Sequence, residues 1–281
     1  MTRHTRTRLL AVLAAVPFVL AACGGSGASD DTSDSGPTDT TPIEVVDLTF
    51  TPMTAGKLTV CSDAPYEPFE FQAEDGTWTG FDMDLMTAIA KRYGLTLEVT
   101  VQPFDGIWLA PTAGTCDVVA SSMTITEDRQ KNALFSDPYF DSYQSVLVNN
   151  DDAETLVDAE SLAGKTVAVQ TGTTGETYAK ENLPDVKIQS FDDASAMFLA
   201  LDGKQVDGIL QDFPINNERA RKQGTSKVSI IFDEVGEQYG FAVAPDNEDL
   251  VLAINESLNQ FRAIGVYDEI YAKYFGDDSA E

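Results

Sequence analysis

The residues best suited to chemistry follow the ends of predicted β-strands, and the richest stretch is SSMTITEDR (121–129). In it Ser121, Ser122 and Thr124 precede Arg129. Hydroxyl groups both donate and accept hydrogen bonds, and an arginine fork binds a carboxylate through two parallel bonds. A lone arginine is usually a solvated surface residue, but this one follows three hydroxyls and a strand end. We interpret the stretch as part of a carboxylate site.

A second candidate follows the predicted strand KTVAVQ (165–170), where Gln170 leads through TGT to Thr174. Backbone N–H groups at the start of a helix bind anions. The stretch matches neither a dinucleotide-binding GxGxxG motif nor a phosphate-binding GxxxxGK motif, so a carboxylate fits better than a phosphate. Simple capping of the helix by Thr173 or Thr174 remains the alternative.

A third candidate is Asp212, which follows the predicted strand 205–210 and precedes a predicted helix. An aspartate in that place is often only a helix N-cap. It can instead face an ammonium group. With Arg129 and the helix-start amides on a carboxylate, and Asp212, Ser122 and Thr124 on an ammonium, the sequence predicts a receptor for a zwitterion.

Two loops add aromatic rings to these polar groups. The first strand is followed by DAPYEPFEF (63–71), which contains Asp63 and Tyr66, and the second by Phe104. Each ring taken alone could be core packing. In the zwitterion interpretation, Tyr66 and Phe104 cover the apolar part of the ligand, and Asp63 favours a ligand whose side chain donates hydrogen bonds.

The elements that must position these residues alternate between β and α patterns. The pattern predicts strands at 58–62, 95–101, 116–122, 145–150, 165–170, 186–190, 205–210 and 227–232, and helices near 81–94, 107–112, 174–182, 192–201, 212–223, 246–264 and 266–275. Such alternation is typical of parallel sheets covered by helices. The strands are too many for one small sheet, so we expect two α/β lobes, with ligands outside the carboxyl ends of the strands.

Composition excludes several classes of function. The 281 residues include 18 Lys and Arg against 46 Asp and Glu, a formal net charge of -28, which disfavours nucleic acid as a partner. The single histidine, His4, lies in a segment that we expect to be cleaved. Without it, Ser-His-Asp and Cys-His nucleophile pairs and histidine-ligated metal sites are excluded. We expect no metal and no cofactor.

The N-terminus carries the pattern of an export signal. Arginines in residues 1–8 precede an apolar run at 9–22, which is too short to span a bilayer comfortably. The run ends at Cys23 in a pattern that resembles the bacterial lipobox, so we expect residues 1–22 to be a lipoprotein signal peptide and Cys23 to be lipidated. Residues 23–55 then form an acidic, Ser/Thr/Gly-rich tether.

Cys61 and Cys116 could pair, but the sequence leaves this open.

The chain resembles the polar-amino-acid-binding family of extracellular solute-binding proteins, the periplasmic-type receptors of ABC importers. The resemblance covers about residues 56–276, and its motifs occur in order: DAPYEPFEF, GFDMDL, SSMTITEDR, FSDPYF, TGTTGET, DGILQD, EQYGFAV and YDEIYAKYFG. Tyr93 departs from the small or aliphatic residue usual in the family. The resemblance implies a two-lobed fold with two crossings, near residues 140–144 and 235–239. It places lobe 1 at 56–141 and 238–281, and lobe 2 at 142–237.

The family's binding positions fall on residues already selected above. The resemblance puts the carboxylate arginine at Arg129, the ammonium aspartate at Asp212 and the stacking aromatic at Tyr66. It assigns the remaining contacts to Ser121, Ser122, Thr124 and Thr174, and the positions facing the ligand side chain to Asp63, Phe104 and Gln170. It implies a monomer that captures a free amino acid and delivers it to a permease, anchored on the extracytoplasmic face of the membrane. Asp63, with the neutral Gln170, favours a ligand with a neutral-polar or basic side chain.

Two other functions stay open at this stage. A cyclohexadienyl-dehydratase-like enzyme shares the fold, but such enzymes lose the ammonium-binding aspartate, which is present here as Asp212. A ligand-sensing module that acts with a separate signalling partner is the second alternative. The sequence does not select one amino acid as the ligand.

Overall fold

The computed structural model describes residues 42–276. The predicted signal peptide, Cys23 and the first part of the predicted tether lie outside the described residues. The strands, in chain order, are β1 (Lys57–Ser62), β2 (Phe71–Gln72), β3 (Trp78–Thr79), β4 (Thr96–Val101), β5 (Val118–Val119), β6 (Leu134–Phe135), β7 (Phe140–Asn149), β8 (Thr166–Gln170), β9 (Lys187–Phe191), β10 (Gly208–Asp212), β11 (Ser226–Tyr239) and β12 (Ala242–Val243). The helices are α1 (Phe81–Arg92), α2 (Glu127–Gln130), α3 (Thr174–Asn182), α4 (Ala194–Asp202), α5 (Phe213–Gln223), α6 (Glu248–Ala263) and α7 (Val266–Phe275), with short 3₁₀ helices at Ile107–Leu109 and Glu160–Leu162.

Two five-stranded sheets organise the part of the chain that the structure describes. The first has the order β4-β1-β5-β12-β6 and the second β11-β7-β10-β8-β9, while β2 and β3 form a separate hairpin. We call the first sheet with α1, α6 and α7 lobe 1, and the second sheet with α3, α4 and α5 lobe 2. The predicted two-lobed α/β class is confirmed. The sheets are more mixed than the mostly parallel sheets expected, because strands that return from the other lobe pair antiparallel.

The chain passes between the two sheets twice. It leaves lobe 1 after β6 and enters β7, and it returns from β11 into β12. Strands β7 and β11 pair antiparallel from Asn149–Ser226 to Phe140–Tyr239, with two irregularities in register. Phe140 and Tyr239 belong to the lobe 1 core, whereas Val146 and Ile230 belong to the lobe 2 core. These two paired strands therefore join the lobes.

The lobe 1 core is built around α1 and the C-terminal helices. Phe81, Leu85 and Ile89 lie on one buried face of α1, as the helical spacing predicts. Gly80 precedes this helix with a φ of 115°, and a Cβ there would lie 2.1 Å from the Phe69 carbonyl oxygen. Only glycine fits this junction. The junction fixes the start of α1 against the loop that follows β1.

In each lobe, parallel strands end at the same edge of the sheet and place predicted site residues there. Because β5 runs parallel to β1, Asp63 and Ser121 leave the first sheet at the same edge. Strands β8 and β10 are likewise parallel and end at Gln170 and Asp212. The topology therefore gathers polar residues from both lobes.

Cys61 and Cys116 form a disulfide with their Cα atoms 5.8 Å apart, which settles the pairing that the sequence left open. Both residues are fully buried and pack in one cluster with Phe104 and Met123. The disulfide ties the end of β1 to the segment that enters β5.

Within residues 42–276, no helix combines the length and apolar character that crossing a membrane requires.

Candidate functional site

A narrow cavity lies between residues of the two lobes, and the empty space in and around it, open solvent included, is about 410 Å³. The ten residues that the sequence selects all line it: Asp63, Tyr66, Phe104, Ser121, Ser122, Thr124, Arg129, Gln170, Thr174 and Asp212. Their assignment as ligand contacts stays a prediction. Their convergence follows from the strand ends described above, since each lies at or shortly after a strand or in the loop that follows it.

Arg129 is held in a fixed orientation inside the cavity. Its Nη1 donates to the Thr124 carbonyl oxygen at 2.7 Å, and its Nη2 donates to the Gly172 carbonyl oxygen of lobe 2 at 3.1 Å. The guanidinium carbon lies 5.1 Å from the ring centre of Phe104 and 5.3 Å from that of Trp108. Burial lowers the pKa of Arg129 to about 10, so the side chain stays charged at neutral pH. Trp108 was missed in the sequence analysis because it lies one turn beyond the selected loop.

The start of α3 faces the same cavity from lobe 2. Thr173, not Thr174, caps this helix: its hydroxyl accepts the Glu176 N–H at 3.1 Å. The capping alternative therefore applies to Thr173 alone. Thr174 lines the cavity and accepts a 3.5 Å hydrogen bond from Gln144. Thr173, Thr174 and Gly175 at the start of α3 thus line the same cavity as Arg129.

Asp212 lies at the start of α5 but its side chain makes no capping hydrogen bond to that helix. Its Oδ1 accepts from Gln144 Nε2 at 2.6 Å, and its Oδ2 accepts from the Tyr239 hydroxyl at 2.5 Å. Burial, and the nearby charge of Glu237, raise the pKa of Asp212 to about 7, while hydrogen bonds from Tyr239, Gln144 and Tyr66 oppose this rise. The helix-cap alternative for Asp212 is thus not what the geometry shows.

Gln144 and Glu237, on the two joining strands, are cavity-region residues that sequence reasoning missed. Gln144 Nε2 donates to Glu237 Oε1 at 3.1 Å as well as to Asp212. Glu237 Oε2 accepts from the Thr124 hydroxyl of lobe 1 at 2.8 Å. This chain of bonds links a lobe 1 hydroxyl to the carboxylate of Asp212 in lobe 2. The available signal was the predicted crossing segments, which contain both residues.

Asp63 and Gln170 meet across the cavity. Gln170 Nε2 donates to Asp63 Oδ2 at 2.5 Å and to the Asp192 carbonyl oxygen at 3.1 Å. Burial raises the pKa of Asp63 to about 6, and Asp193 adds to the rise. Two of the three positions predicted to face a ligand side chain, Asp63 and Gln170, are therefore in direct contact from opposite lobes.

Glu70 is a fourth residue missed in the sequence analysis. Its carboxylate accepts from the hydroxyls of Ser121 at 3.3 Å and Ser122 at 3.2 Å, and it is fully buried. Burial and the charge of Asp82 hold the pKa of Glu70 well above its usual range. The antiparallel bridge between Tyr66 and Glu70 shapes this loop so that both side chains reach the cavity.

The lobes approach closely beside the cavity. Gly172 has a φ of 80°, and a Cβ there would lie 2.7 Å from Asp105 Oδ1 and 2.9 Å from Asp105 Cα, so only glycine fits. Farther out, Lys222 of α5 forms an ion pair with Glu67 of the loop after β1. These contacts, with the Arg129 bond to Gly172, hold the two sides of the cavity together.

This arrangement suits binding of a small molecule with opposite charges. Arg129 supplies a fixed positive charge, and Asp212 supplies a carboxylate whose hydrogen bonds come from neutral groups. Among the residues that the structure describes, no group of three or more His, Cys, Asp or Glu side chains could hold a metal ion. The fold and the cavity define the class as a two-lobed binding protein.

Comparison with known proteins gives the family. The family model of the bacterial extracellular solute-binding proteins, family 3, matches residues 58–277. The chain is 31% identical over 277 residues to the probable histidine-binding protein of Neisseria gonorrhoeae, covering 97% of each chain. It is 30% identical over 234 residues to the ABC transporter arginine-binding protein 1 of Escherichia coli (strain K12), covering 81% of this chain and 94% of the other. The chain belongs to family 3 of the bacterial extracellular solute-binding proteins.

A solved structure supports the fold at higher identity. An ancestral arginine-binding protein bound to arginine matches with a TM-score of 0.74 and 38% identity, covering 79% of this chain and 99% of that chain. The relatives named here are binding proteins rather than enzymes. Membership of an extracellular family places the protein outside the cytoplasm.

Proposed function

We propose that this chain binds one free amino acid between its lobes, with a neutral-polar or basic side chain, and delivers it unchanged to the permease of an ABC transporter. The observation that carries the proposal is that Arg129 of lobe 1 and Asp212 of lobe 2 line the same cavity. An α-amino acid carries one charge for each of them. The names of the relatives, which include binding proteins for histidine and arginine, support this class of ligand.

In this proposal the α-carboxylate lies on Arg129 and the start of α3. The guanidinium is already oriented by two carbonyl oxygens and backed by two rings, so little side-chain freedom is lost on binding. Thr174 and the helix-start amides complete the anion site. The α-ammonium lies on Asp212, with the hydroxyls of Ser122 and Thr124 close to the same cavity wall.

The ligand also joins the lobes. Since Arg129 and Asp212 belong to different lobes, full contact with both ends of an amino acid requires the two sides of the cavity to meet. The ligand therefore binds the closed arrangement better and increases its population. Strands β7 and β11 supply the connection about which the lobes move.

The function is tested on purified protein with the twenty amino acids, first by thermal shift and then by calorimetry. We expect a polar or basic amino acid to raise the melting temperature, and mass spectrometry to recover it unchanged. Replacing Asp212 by asparagine should weaken that ligand by about 10- to 150-fold, since a hydrogen bond to a charged group contributes about 1.5–3 kcal/mol. The affinity for a carboxylic acid that lacks the α-amine should fall much less.

The matched control is Asp185→Asn, the same change at an exposed position of lobe 2. It should leave affinity unchanged. Equal losses for the amino acid and its amine-free analogue in Asp212→Asn would remove the assigned role of Asp212. Chemical conversion of the ligand by the wild-type protein would contradict a pure binding function.

We also propose that Cys23 carries a lipid that holds the protein on the extracytoplasmic face of the membrane. The support is the apolar run at residues 9–22 that ends in Leu20, Ala21, Ala22 and Cys23. Replacing Cys23 by serine should move the protein from the membrane to the soluble fraction without changing ligand affinity. Membrane fractionation that still finds the variant bound would contradict the anchor.

A further inference from the structure

Ser122, on the lobe 1 side of the cavity, has a backbone conformation that serine rarely adopts. Its φ is 46°, in the left-handed region, and among the described residues other than glycine only Lys204 also has a positive φ. Lys204 lies at an exposed turn, whereas Ser122 is buried and lines the cavity. Because a residue with a Cβ disfavours this conformation, contacts around Ser122 must hold it there.

The contact on the Ser122 backbone comes from Asp82, in the first turn of α1. Asp82 Oδ2 accepts the Ser122 N–H at 2.9 Å and the Tyr139 hydroxyl at 2.7 Å. Asp82 is fully buried, and burial raises its pKa to about 7, while these two hydrogen bonds oppose the rise. Asp82 does not line the cavity itself. It therefore reaches the cavity only through residues such as Ser122.

The start of α1 is fixed against the loop that follows β1. The Asp82 N–H donates to the Phe69 carbonyl oxygen at 3.0 Å, and the close approach of Gly80 to the same carbonyl leaves no space for a side chain. A negative charge is favoured in the first turn of a helix, because unpaired N–H groups lie there. The Asp82 carboxylate is therefore held in a fixed place beside the Ser122 backbone.

Two hydrogen bonds together specify the conformation of Ser122. Its N–H donates to Asp82, and its hydroxyl donates to Glu70 Oε2 at 3.2 Å. Since φ is the rotation about the N–Cα bond, a different φ would move the hydroxyl away from this place while the N–H stayed on Asp82. Loss of the Asp82 contact would let Ser122 relax to a negative φ and turn its hydroxyl out of position.

We propose that Asp82 is a positioning residue for ligand binding: it holds Ser122 in the left-handed conformation that presents the Ser122 hydroxyl to the α-ammonium of an amino acid. This inference rests on the proposed function and adds to it a residue that does not touch the ligand. It gives the first aspartate of the GFDMDL motif (80–85) a part in binding.

The test replaces Asp82 by leucine, which has the same branched shape but no acceptor atoms. The probes are L-arginine and δ-guanidinovaleric acid, which is arginine without its α-amine. If the wild-type protein prefers another of the twenty amino acids, that amino acid and its amine-free analogue replace them. Calorimetry should show at least about tenfold weaker binding of the amino acid, since a hydrogen bond to a charged group is lost. Binding of the amine-free analogue should change little.

Two companion variants define what Asp82 contributes. Asp82→Asn keeps an accepting oxygen and should recover most of the affinity. Tyr139→Phe is the matched control, because it removes the other hydrogen bond to Asp82 Oδ2 and leaves the bond to Ser122. It should lower the melting temperature without lowering affinity.

A double-mutant cycle shows whether Asp82 acts through Ser122. Glycine adopts the left-handed conformation readily and has no hydroxyl to position. In a Ser122→Gly background, Asp82→Leu should therefore lower affinity much less than it does in the wild-type protein.

The outcomes separate this inference from the proposed function. A wild-type protein that binds none of the twenty amino acids contradicts the proposed function itself. Wild-type affinity in folded Asp82→Leu protein, or equal losses in both backgrounds, would show that Asp82 does not position Ser122. If Asp82→Leu does not fold, Ser122→Gly is compared with Ser122→Ala, since both lack the hydroxyl. The glycine variant should melt at the higher temperature, and equal melting temperatures would overturn the inference.

Discussion

Replacing Arg129 by alanine is expected to weaken amino-acid binding by about 30- to 5,000-fold, which corresponds to the roughly 2–5 kcal/mol lost when one partner of a buried charge pair is removed. Arg129 is buried and aligned by the carbonyl oxygens of Thr124 and Gly172. Without it, the ligand carboxylate would be desolvated against the rings of Phe104 and Trp108 with no positive charge nearby. Calorimetry of the purified variant measures the loss.

Two further variants sharpen this test. Arg129→Lys keeps the charge but not the planar fork, so it should recover only part of the affinity. Lys131→Ala removes a positive charge two residues away at an exposed position and should bind normally. Wild-type affinity in Arg129→Ala protein that melts cooperatively would contradict the placement of the carboxylate.

Removing the disulfide with the double substitution Cys61→Ala and Cys116→Ala is expected to lower the free energy of unfolding by about 4 kcal/mol. The two cysteines are 55 residues apart, and cross-linking a loop of that size restricts the unfolded chain by roughly this amount. Urea denaturation followed by circular dichroism measures the change. Because the disulfide packs with Phe104 beside the cavity, ligand affinity should fall as well.

Reduction supplies the control for the disulfide prediction. Unfolding the wild-type protein with a reductant present should reproduce the lower stability, while the same reductant should leave the double variant unchanged. Equal stability of the double variant and the oxidised wild-type protein would show that the disulfide does not stabilise the fold by restricting the conformations of the unfolded chain.

The sequence identified residues of the cavity most successfully where polar side chains lie at or just after the end of a strand. Ser121 and Asp212 were selected for that reason, and parallel strands bring such positions to one edge. Glu70 could not be selected this way, because it reaches the cavity through a bridge with Tyr66 inside an irregular loop. Gln144 and Glu237 lie on strands whose side chains alternate between faces, and the sequence does not say which face meets the cavity.

The helices were predicted more closely than the strands. The predicted helix 266–275 has the observed bounds of α7, and 81–94 ends two residues beyond α1, because the turned backbone at Gly94 follows the helix. The strand predicted at 227–232 is part of the longer β11, since a strand that spans two lobes mixes buried and exposed positions from two environments. The hairpin of β2 and β3 was missed because each strand has two residues.

The strand order also determines which sheet can be completed first as the chain is synthesised from its N-terminus. All five strands of the lobe 2 sheet come from one continuous stretch, 140–239. In lobe 1, β12 lies between β5 and β6 and pairs with both, yet it is the last strand of the chain. Lobe 2 can therefore complete its sheet while the lobe 1 sheet still lacks β12. A truncated chain that ends before Ala242 would keep the whole of lobe 2, and with it the lobe 2 half of the binding site.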